Sequence, residues 1–400
     1  MIIEPAKRTS SVQEYYFSRK FKEIDALNEE RVARGEDRII NLGIGAPDGM
    51  PPQDAIDALV EAARKPGNHA YQSYKGLPEL RQAFAEWYSR YYGVTLNPDG
   101  GIQPLVGSKE GILLISMAFV NPGDKVLVPD PGYPTYTSAS RLVGAEIVTY
   151  NLTEDNHWRP DFDTLEGMDL EGVKIMWTNY PNMPTGAKAT PELYQRLVAF
   201  GLKHKILIVN DNPYSFILCG KPLSILAADG AEECCLELNS LSKAHNMSGW
   251  RIGMVGGAPE LIAEILKVKS QMDSGMFKPL QLAAIEALRQ SPEWFEELNS
   301  EYVRRRVAAG RIFDTLGAVY DHDTAGLFLW GRVSSKYAEN GMTAGEVISE
   351  RVLRQAGVFI TPGFIFGKNG DNYTRISLCA KPGVLDLANK KIEEVIDKII

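Results

Sequence analysis

Short apolar runs alternate with amphipathic stretches through the middle of the chain. The amphipathic stretches predict helices, for example over residues 109–119, 191–204 and 260–271. The apolar runs between them predict buried strands over residues 104–106, 125–128, 146–148, 173–177, 206–209, 236–238 and 252–255. Strands that alternate with helices indicate right-handed crossovers and a mostly parallel sheet covered by helices on both faces.

The two ends of the chain depart from this pattern. A helix with alternating charges is predicted over residues 13–34, and after Pro292 a long charged helix precedes a mixture of short strands and helices. We therefore predict an α/β fold with two domains. The large domain, residues 46–295, carries the parallel sheet, and a smaller α+β domain combines both chain ends, residues 1–45 and 296–400.

Composition and charge narrow the class of protein. The 400 residues are 44% apolar and 24% charged, as in ordinary globular proteins. A net charge of −8 argues against a nucleic-acid partner. No uncharged run exceeds thirteen residues, and the chain starts without an apolar signal region, so neither a membrane helix nor secretion is expected. The four cysteines contain no CxxC spacing, so we predict no metal and expect reduced thiols in a cytoplasmic protein.

The segment of residues 239–253, Asn-Ser-Leu-Ser-Lys-Ala-His-Asn-Met-Ser-Gly-Trp-Arg-Ile-Gly, directly follows a predicted strand. Open α/β sheets bind their ligands at this edge. Lys243 lies three residues after Ser240 and eight before Arg251. A neighbouring cation lowers the pKa of a lysine and favours the nucleophilic amine, and a hydroxyl with a guanidinium suits a phosphate. The segment indicates an imine-forming lysine beside a phosphate site, although a surface lysine near an incidental arginine is an open alternative.

Two further strand ends carry candidate groups. Gly107, Ser108 and Lys109 form a glycine turn between a strand and a helix, where free N–H groups bind anions. Asp211 ends a buried strand and precedes Tyr214 by three residues. A buried acid needs a cationic partner, and a pyridinium nitrogen would be a suitable one. Each motif alone is also compatible with an ordinary turn or a capping aspartate.

Two more side chains suit a flat, anionic ligand or substrate. Tyr133 follows another strand end, where its ring can stack on a flat cofactor. Arg375 lies within a predicted strand of the small domain, and its guanidinium suits a substrate carboxylate. A surface salt bridge is the alternative for this arginine.

Taken in order, these motifs resemble those of the class I/II aminotransferases, which are pyridoxal-phosphate enzymes of fold type I. The resemblance extends over nearly the whole chain. It implies that Lys243 forms the internal aldimine with pyridoxal 5'-phosphate and later moves the substrate proton. It also implies that Asp211 pairs with the pyridine nitrogen and that Tyr214 donates a hydrogen bond to the phenolic oxygen.

The resemblance also implies the remaining contacts. Those at the phosphate are Ser108, Lys109, Ser240 and Arg251. Tyr133 would stack on the cofactor ring, while Arg375, helped by the backbone at Gly45, would bind the α-carboxylate of the substrate. Tyr71 would reach the phosphate of the neighbouring subunit, which implies an obligate homodimer with a shared active site.

One position departs from the family pattern. The family usually carries asparagine immediately before Pro-Thr-Gly, in contact with the phenolic oxygen, but this chain has Met183 there and Asn182 one residue earlier. Either Asn182 takes over through a shifted loop, or Tyr214 holds the oxygen alone. The second arrangement is expected to raise the pKa of the imine, because one fewer donor stabilises the phenolate.

The expected reaction is amino transfer between an α-amino acid and a 2-oxo acid, with a pyridoxal-phosphate C–S β-lyase as the alternative. Ser240 and Lys243 also match the SxxK motif of serine hydrolases, but KTG and SDN motifs are absent. A ligand-sensing regulator would need a DNA-binding module, for which the first 45 residues are too few. Residues 270–288 contain no arginine, which aspartate-specific members of the family use there. We therefore expect alanine, glutamate or larger neutral donors.

Overall fold

A computed structural model describes residues 2–10, 12 and 14–400. Its strands are β1 (Ile40–Asn41), β2 (Ile102–Leu105), β3 (Lys125–Asp130), β4 (Glu146–Asn151), β5 (Val173–Thr178), β6 (Leu207–Asp211), β7 (Cys235–Ser240), β8 (Gly253–Gly257), β9 (Val319–Tyr320), β10 (Phe328–Arg332), β11 (Val358–Phe359), β12 (Thr361–Pro362) and β13 (Tyr373–Ser377).

Its α-helices are α1 (Lys7–Ser10), α2 (Tyr16–Ala33), α3 (Gln53–Ala63), α4 (Pro78–Tyr92), α5 (Ser108–Phe119), α6 (Pro134–Leu142), α7 (Phe162–Glu166), α8 (Pro191–His204), α9 (Ala231–Cys234), α10 (Pro259–Lys269), α11 (Lys278–Leu288), α12 (Pro292–Thr315), α13 (Ala344–Arg351) and α14 (Pro382–Glu393). The helix predicted over residues 13–34 corresponds to α2. Gln13, its predicted first residue, lies outside the described residues.

Within the described part of the chain, seven strands form one sheet in the order β2-β8-β7-β6-β5-β3-β4. Strands β3 to β7 run parallel, whereas β8 runs antiparallel to β7 and β2. The predicted α/β fold with a mostly parallel sheet is confirmed. Because β8 returns along β7, Ser240 pairs with Gly253. The intervening residues 241–252 therefore lie at the carboxyl end of β7, where the sequence predicted a ligand site.

Helices cover both faces of this sheet. Val126 and Val128 of β3 belong to a core shared with α5, α6 and α10, while Leu127 between them belongs to a core shared with α8. Successive side chains of a strand point to opposite faces, so an apolar run such as 126–128 buries both faces of the sheet. This packing explains why the strands appear in the sequence as continuous apolar runs.

The chain ends form a second region of structure. Strands β12, β13, β10 and β9 pair in that order as an antiparallel sheet, and β1 from the N-terminal part pairs with β11 in parallel. One core contains Leu42 together with residues of α12, α13 and α14. The division into domains at residues 45 and 295 stays a prediction.

Two kinds of feature are absent from the described residues. None of their helices is long and apolar enough to cross a membrane. No group of three or more His, Cys, Asp or Glu side chains among them could hold a metal ion.

Candidate active site

A cavity of about 330 Å³ lies at the carboxyl edge of the large sheet, between the strand ends, the start of α2 and strand β13. Most of the predicted site residues line it, although they come from distant parts of the sequence. The predicted residues that line it are Gly45, Ser108, Lys109, Tyr133, Asp211, Tyr214, Ser240, Lys243, Arg251 and Arg375. Asn182 and Tyr71 are not part of its lining.

Lys243 lies in the segment that links β7 to β8, and its amine reaches the N-terminal loop. Its Nζ donates a hydrogen bond of 2.5 Å to the carbonyl oxygen of Gly45. Burial lowers the pKa of Lys243, and the charges of Arg375 and Arg251 lower this pKa further. The neutral amine is the nucleophilic form, so these surroundings suit a lysine that forms a covalent bond to a carbonyl group.

Asp211, the last residue of β6, is buried with one oxygen free. Its Oδ2 accepts a hydrogen bond of 2.9 Å from the hydroxyl of Tyr136, whereas Oδ1 has no hydrogen-bond partner among the described residues. Burial raises the pKa of Asp211 to about 7, and the hydrogen bond from Tyr136 opposes this rise. A buried carboxylate oxygen without a donor is costly, so Oδ1 is suited to a protonated or cationic ligand group.

Tyr136 is a site residue that the sequence analysis missed. Its ring stacks on that of Trp177, with centroids 5.2 Å apart and planes 6° apart, and this contact fixes the hydroxyl at Asp211. Tyr136 lies three residues after Tyr133 near the start of α6, so both rings lie on one side of the helix and both line the cavity. The spacing of three residues between Tyr133 and Tyr136 is the sequence feature from which Tyr136 could have been predicted.

One end of the cavity, which suits an anion, is formed by the turn before α5 and by Arg251. Gly107 has φ of +76°, and a Cβ atom there would overlap the guanidinium of Arg251. The first N–H groups of a helix have no intrahelical acceptor, so Ser108 and Lys109 present free donors. Nη1 of Arg251 donates to Ser242 Oγ at 3.3 Å. Ser242 lines the cavity and was not predicted as a site residue, although it directly precedes Lys243.

Arg375 of β13 is buried inside the cavity, where only part of its guanidinium is bonded. Nη2 donates to the carbonyl oxygen of Gly43 at 2.9 Å and Nη1 to the sulfur of Met183 at 3.3 Å, while Nε has no partner within the described residues. Burial lowers the pKa of Arg375 to about 10, so the group stays cationic at neutral pH. A buried cation with a free donor is suited to binding a carboxylate.

Comparison with known families agrees with this geometry. Residues 37–399 match the model of the family described as aminotransferase class I and II. The chain belongs to this family. It is a pyridoxal-phosphate-dependent aminotransferase that moves an amino group between an α-amino acid and a 2-oxo acid, and this finding supports amino transfer over the C–S β-lyase alternative.

Relatives and solved structures resemble this aminotransferase over nearly their whole lengths. The LL-diaminopimelate aminotransferase of Nitratidesulfovibrio vulgaris is 39% identical over 97% of this chain and 98% of its own. The substrate-bound BacF structure from Bacillus subtilis has a TM-score of 0.90 and 34% identity, and covers 99% of this chain and 98% of its own. A single mutant of Thermus thermophilus aspartate aminotransferase has a TM-score of 0.88 and 26% identity, and covers 98% of this chain and 100% of its own.

The residues of this aminotransferase fit pyridoxal phosphate. The free oxygen Oδ1 of buried Asp211 suits a protonated pyridine nitrogen, and the amine of Lys243 suits the aldehyde. The donors at the Gly107 turn and on the guanidinium of Arg251 suit a phosphate. Tyr133 and Tyr214, the other two predicted ring contacts, both line the cavity.

Met183, not Asn182, faces the aminotransferase cavity. The Oδ1 atom of Asn182 accepts hydrogen bonds from the N–H and hydroxyl of Thr185, at 3.3 and 2.7 Å. Asn179 lines the cavity, but its amide is engaged by the carbonyl oxygen of Asp211 and by the N–H of Met183. Nδ2 of Asn182 is buried and has no hydrogen-bond partner among the described residues, so the choice between the two arrangements predicted from sequence stays a prediction.

Changing Met183→Asn is expected to lower the pH at which the absorption of the lysine-bound cofactor changes, by about one unit. A new hydrogen bond to a charged oxygen contributes roughly 1.5 kcal/mol, which corresponds to about one pKa unit. A pH titration of the visible absorption of the holoenzyme measures this. Met183→Leu, which has a similar volume and no donor, is the control. Equal midpoints in both variants would contradict the prediction.

Tyr71 of this aminotransferase lies outside the cavity, on the surface. It is 90% exposed, which is unusual for a large aromatic side chain. The next residue, Gln72, donates its N–H to the carbonyl oxygen of Ser274 at 3.3 Å, so the segment is attached to the loop between α10 and α11. Within the described residues, Tyr71 therefore does not line the cavity of its own chain.

Proposed function

We propose that the chain is a homodimeric, cytoplasmic aminotransferase whose amino donor is an α-amino acid with a bulky apolar side chain. The observation that carries this proposal is an aromatic wall around the carboxylate-binding Arg375. The aromatic wall consists of Tyr15, Phe17, Phe21, Phe328 and Phe366. The Arg375 Cζ atom lies 3.9, 4.7 and 5.7 Å from the ring centroids of Phe328, Phe366 and Phe17.

The charges of the cavity also favour an apolar side chain. Among the described residues, its lining contains only four cations: Lys109, Lys243, Arg251 and Arg375. In our assignment Arg251 belongs to the phosphate, Lys243 to the aldehyde and Arg375 to the α-carboxylate. Lys109 serves the phosphate through its backbone N–H, and its Nζ lies 5.3 Å from the ring centroid of Tyr15. No lining arginine among the described residues is then left to bind a second carboxylate bidentately, which disfavours aspartate.

The proposed roles follow the positions of the side chains. When bound, pyridoxal phosphate supplies an electron-withdrawing ring that stabilises negative charge at the α-carbon of the substrate. The residues assigned to its phosphate are Ser108, Lys109, Ser240 and Arg251. Oδ1 of Asp211 holds the proton at the ring nitrogen, Tyr214 donates its hydroxyl hydrogen to the phenolic oxygen, and Tyr133 stacks on the ring. We do not assign a contact to Asn182.

The substrate steps use Arg375 and Lys243. Arg375, with the backbone at Gly45, binds the α-carboxylate and so orients the α-carbon toward Lys243. Once its amine is free, Lys243 Nζ takes the α-proton as a general base and later returns it as a general acid. The lowered pKa of Lys243 favours the unprotonated amine, the form that makes the first of these transfers. The aromatic wall excludes water from the reacting atoms.

The proposed homodimer is supported by exposed apolar side chains near Tyr71. Tyr71, Met272 and Phe277 are 90, 50 and 43% exposed, and the ring of Phe277 lies 5.9 Å from that of His69. Exposed apolar patches mark interaction sites. We assign this patch to a second copy of the chain, in which Tyr71 contacts the phosphate of the partner site. The free state of all four cysteines supports the cytoplasmic assignment.

A substrate panel tests the donor class. Phenylalanine, leucine and methionine are expected to exceed aspartate in kcat/KM by roughly 10- to 100-fold, because burial of a large apolar side chain contributes about 1.5–3 kcal/mol. Phe17→Ala should reduce kcat/KM for phenylalanine more than for alanine, and Leu202→Ala, at a 39% exposed position of α8 outside both the cavity and the proposed dimer patch, is the control. A clear preference for aspartate would overturn the proposed donor class.

LL-diaminopimelate is the second candidate donor, since the Nitratidesulfovibrio vulgaris relative at 39% identity bears that name. The far end of LL-diaminopimelate carries both an ammonium and a carboxylate. The side chains of the aromatic wall are uncharged and form an ion pair with neither group. The same panel therefore includes it. A kcat/KM for LL-diaminopimelate above those of the apolar donors would select this second candidate.

A further inference from the structure

Lys269, the last residue of α10, is a fully buried lysine outside the cavity. Its side chain is 0% exposed, and its Nζ lies 3.0 Å from Oε1 of Glu110 and 2.6 Å from Oδ2 of Asp273. Buried lysines are rare unless they are paired. The two carboxylates belong to different segments of the chain, so this ammonium joins those segments.

The first segment is the turn that we assign to the phosphate. Glu110 is in the first turn of α5, and its second oxygen, Oε2, accepts a hydrogen bond of 2.6 Å from the N–H of Val106. The Glu110 side chain thus bridges the turn that contains Ser108 and Lys109. Because Lys269 holds the other oxygen of this carboxylate, it fixes the position of the turn.

The second segment carries Tyr71. Oδ1 of Asp273 accepts a hydrogen bond of 2.9 Å from the N–H of Gly275, and the intervening Ser274 accepts one from the N–H of Gln72. Gly275 has φ of +87° and packs so closely on Gln72 that a Cβ atom would overlap its carbonyl group. Through Asp273, Lys269 therefore also fixes the backbone next to Tyr71.

We propose that Lys269 is a positioning residue that ties the phosphate turn of its own active site to the tyrosine segment that serves the partner's site. This inference rests on the proposed function, in particular on the trans role of Tyr71. One buried ammonium then supports cofactor binding in both sites of the dimer. Its loss leaves two carboxylates close together without their cation, which displaces both segments.

The first test compares two lysines of the same helix. Lys269→Met is expected to raise the dissociation constant of pyridoxal phosphate about tenfold, the lower end of what loss of a group that orients the ligating residues costs at metal sites. Lys267→Met is the matched control, because the Lys267–Glu264 pair is 69 and 47% exposed, and it should leave this constant unchanged. Fluorescence titration of the apoenzyme measures binding. An unchanged constant in Lys269→Met would overturn the proposal.

A charge-balanced variant tests whether Lys269→Met weakens cofactor binding only because the protein fails to fold. Lys269→Met combined with Glu110→Gln and Asp273→Asn keeps the oxygen acceptors for Val106 and Gly275 but removes the unpaired charges. We expect this triple variant to fold as judged by circular dichroism, while its cofactor binding remains about tenfold weaker. If it binds the cofactor as tightly as the wild type, Lys269 does not position the site.

Mixed dimers test separately the effect of Lys269 on the phosphate turn of its own chain and its effect on the partner's site. In each dimer one chain carries Lys243→Ala, so that borohydride fixes cofactor only at the other chain's lysine. Lys269→Met is placed either on the chain with intact Lys243 or on the Lys243→Ala chain, and we expect weaker cofactor fixation in both cases than in a dimer without it. Weakening in the first case only would overturn the link to the partner. As a check on the shared site itself, Tyr71→Phe on the Lys243→Ala chain should weaken fixation, and no effect there would instead contradict the proposed function.

Discussion

Replacing Lys243 with alanine is expected to lower kcat by at least about 10⁴-fold, the upper end of what a single proton-transferring group contributes. In the proposed mechanism the variant loses both the nucleophilic amine and the base that acts on the α-carbon. Its cavity otherwise keeps Arg375, Asp211 and Arg251. Stopped-flow and steady-state assays with a good amino donor measure the loss, and the protein should still bind cofactor non-covalently.

Chemical labelling provides the control for this prediction. Borohydride treatment of the yellow wild-type holoenzyme should fix the cofactor to the peptide that contains Lys243, and mass spectrometry locates the label. Lys267→Met, on the exposed face of α10, should keep both the label and the activity. Label at any other lysine, or a colourless protein that ignores added pyridoxal phosphate, would contradict the assignment of Lys243.

The sheet and most of the cavity could be predicted from the sequence because they depend on local patterns. Asp211 ends an apolar strand, and strand ends of a parallel sheet meet at one edge, so its position followed from periodicity alone. The segment from Ser240 to Arg251 was recognisable for the same reason. Arg251 comes back close to Ser240 because β8 runs antiparallel to β7. The apolar pattern of residues 252–255 does not reveal this direction.

The missed features depend on contacts between distant segments. Phe17 and Phe21 are one turn apart on α2, and their pattern alone does not show that this helix face lies near Arg375, more than 350 positions away. Lys269 looks like an ordinary C-terminal helix charge, and only the packing of α10 against α5 buries it. Tyr136 requires the stacking on Trp177 to place its hydroxyl. All three features depend on tertiary packing.

Changing Asp211→Asn is expected to reduce kcat by about 10²- to 10³-fold, as removal of one preorganised electrostatic contact does in other enzymes. The amide keeps the shape of the side chain but cannot balance the positive charge that we propose at the ring nitrogen. Tyr136→Phe is the matched control, since it keeps the carboxylate and removes one hydrogen bond. A loss in Asp211→Asn no larger than that in Tyr136→Phe would contradict the role of the charge.

The same substitution is expected to change how the stability of the apoenzyme depends on pH. Burial raises the pKa of Asp211 from 3.8 to about 7, so the folded chain holds a proton that the unfolded chain releases. The stabilisation from this proton is complete below about pH 4 and is lost as the pH rises through 7. Urea unfolding at pH 5 and pH 8 should show a decrease on the order of a few kcal/mol in the wild-type free energy of unfolding that Asp211→Asn lacks. Equal pH dependence in both proteins would show that Asp211 is already ionised in the folded apoenzyme.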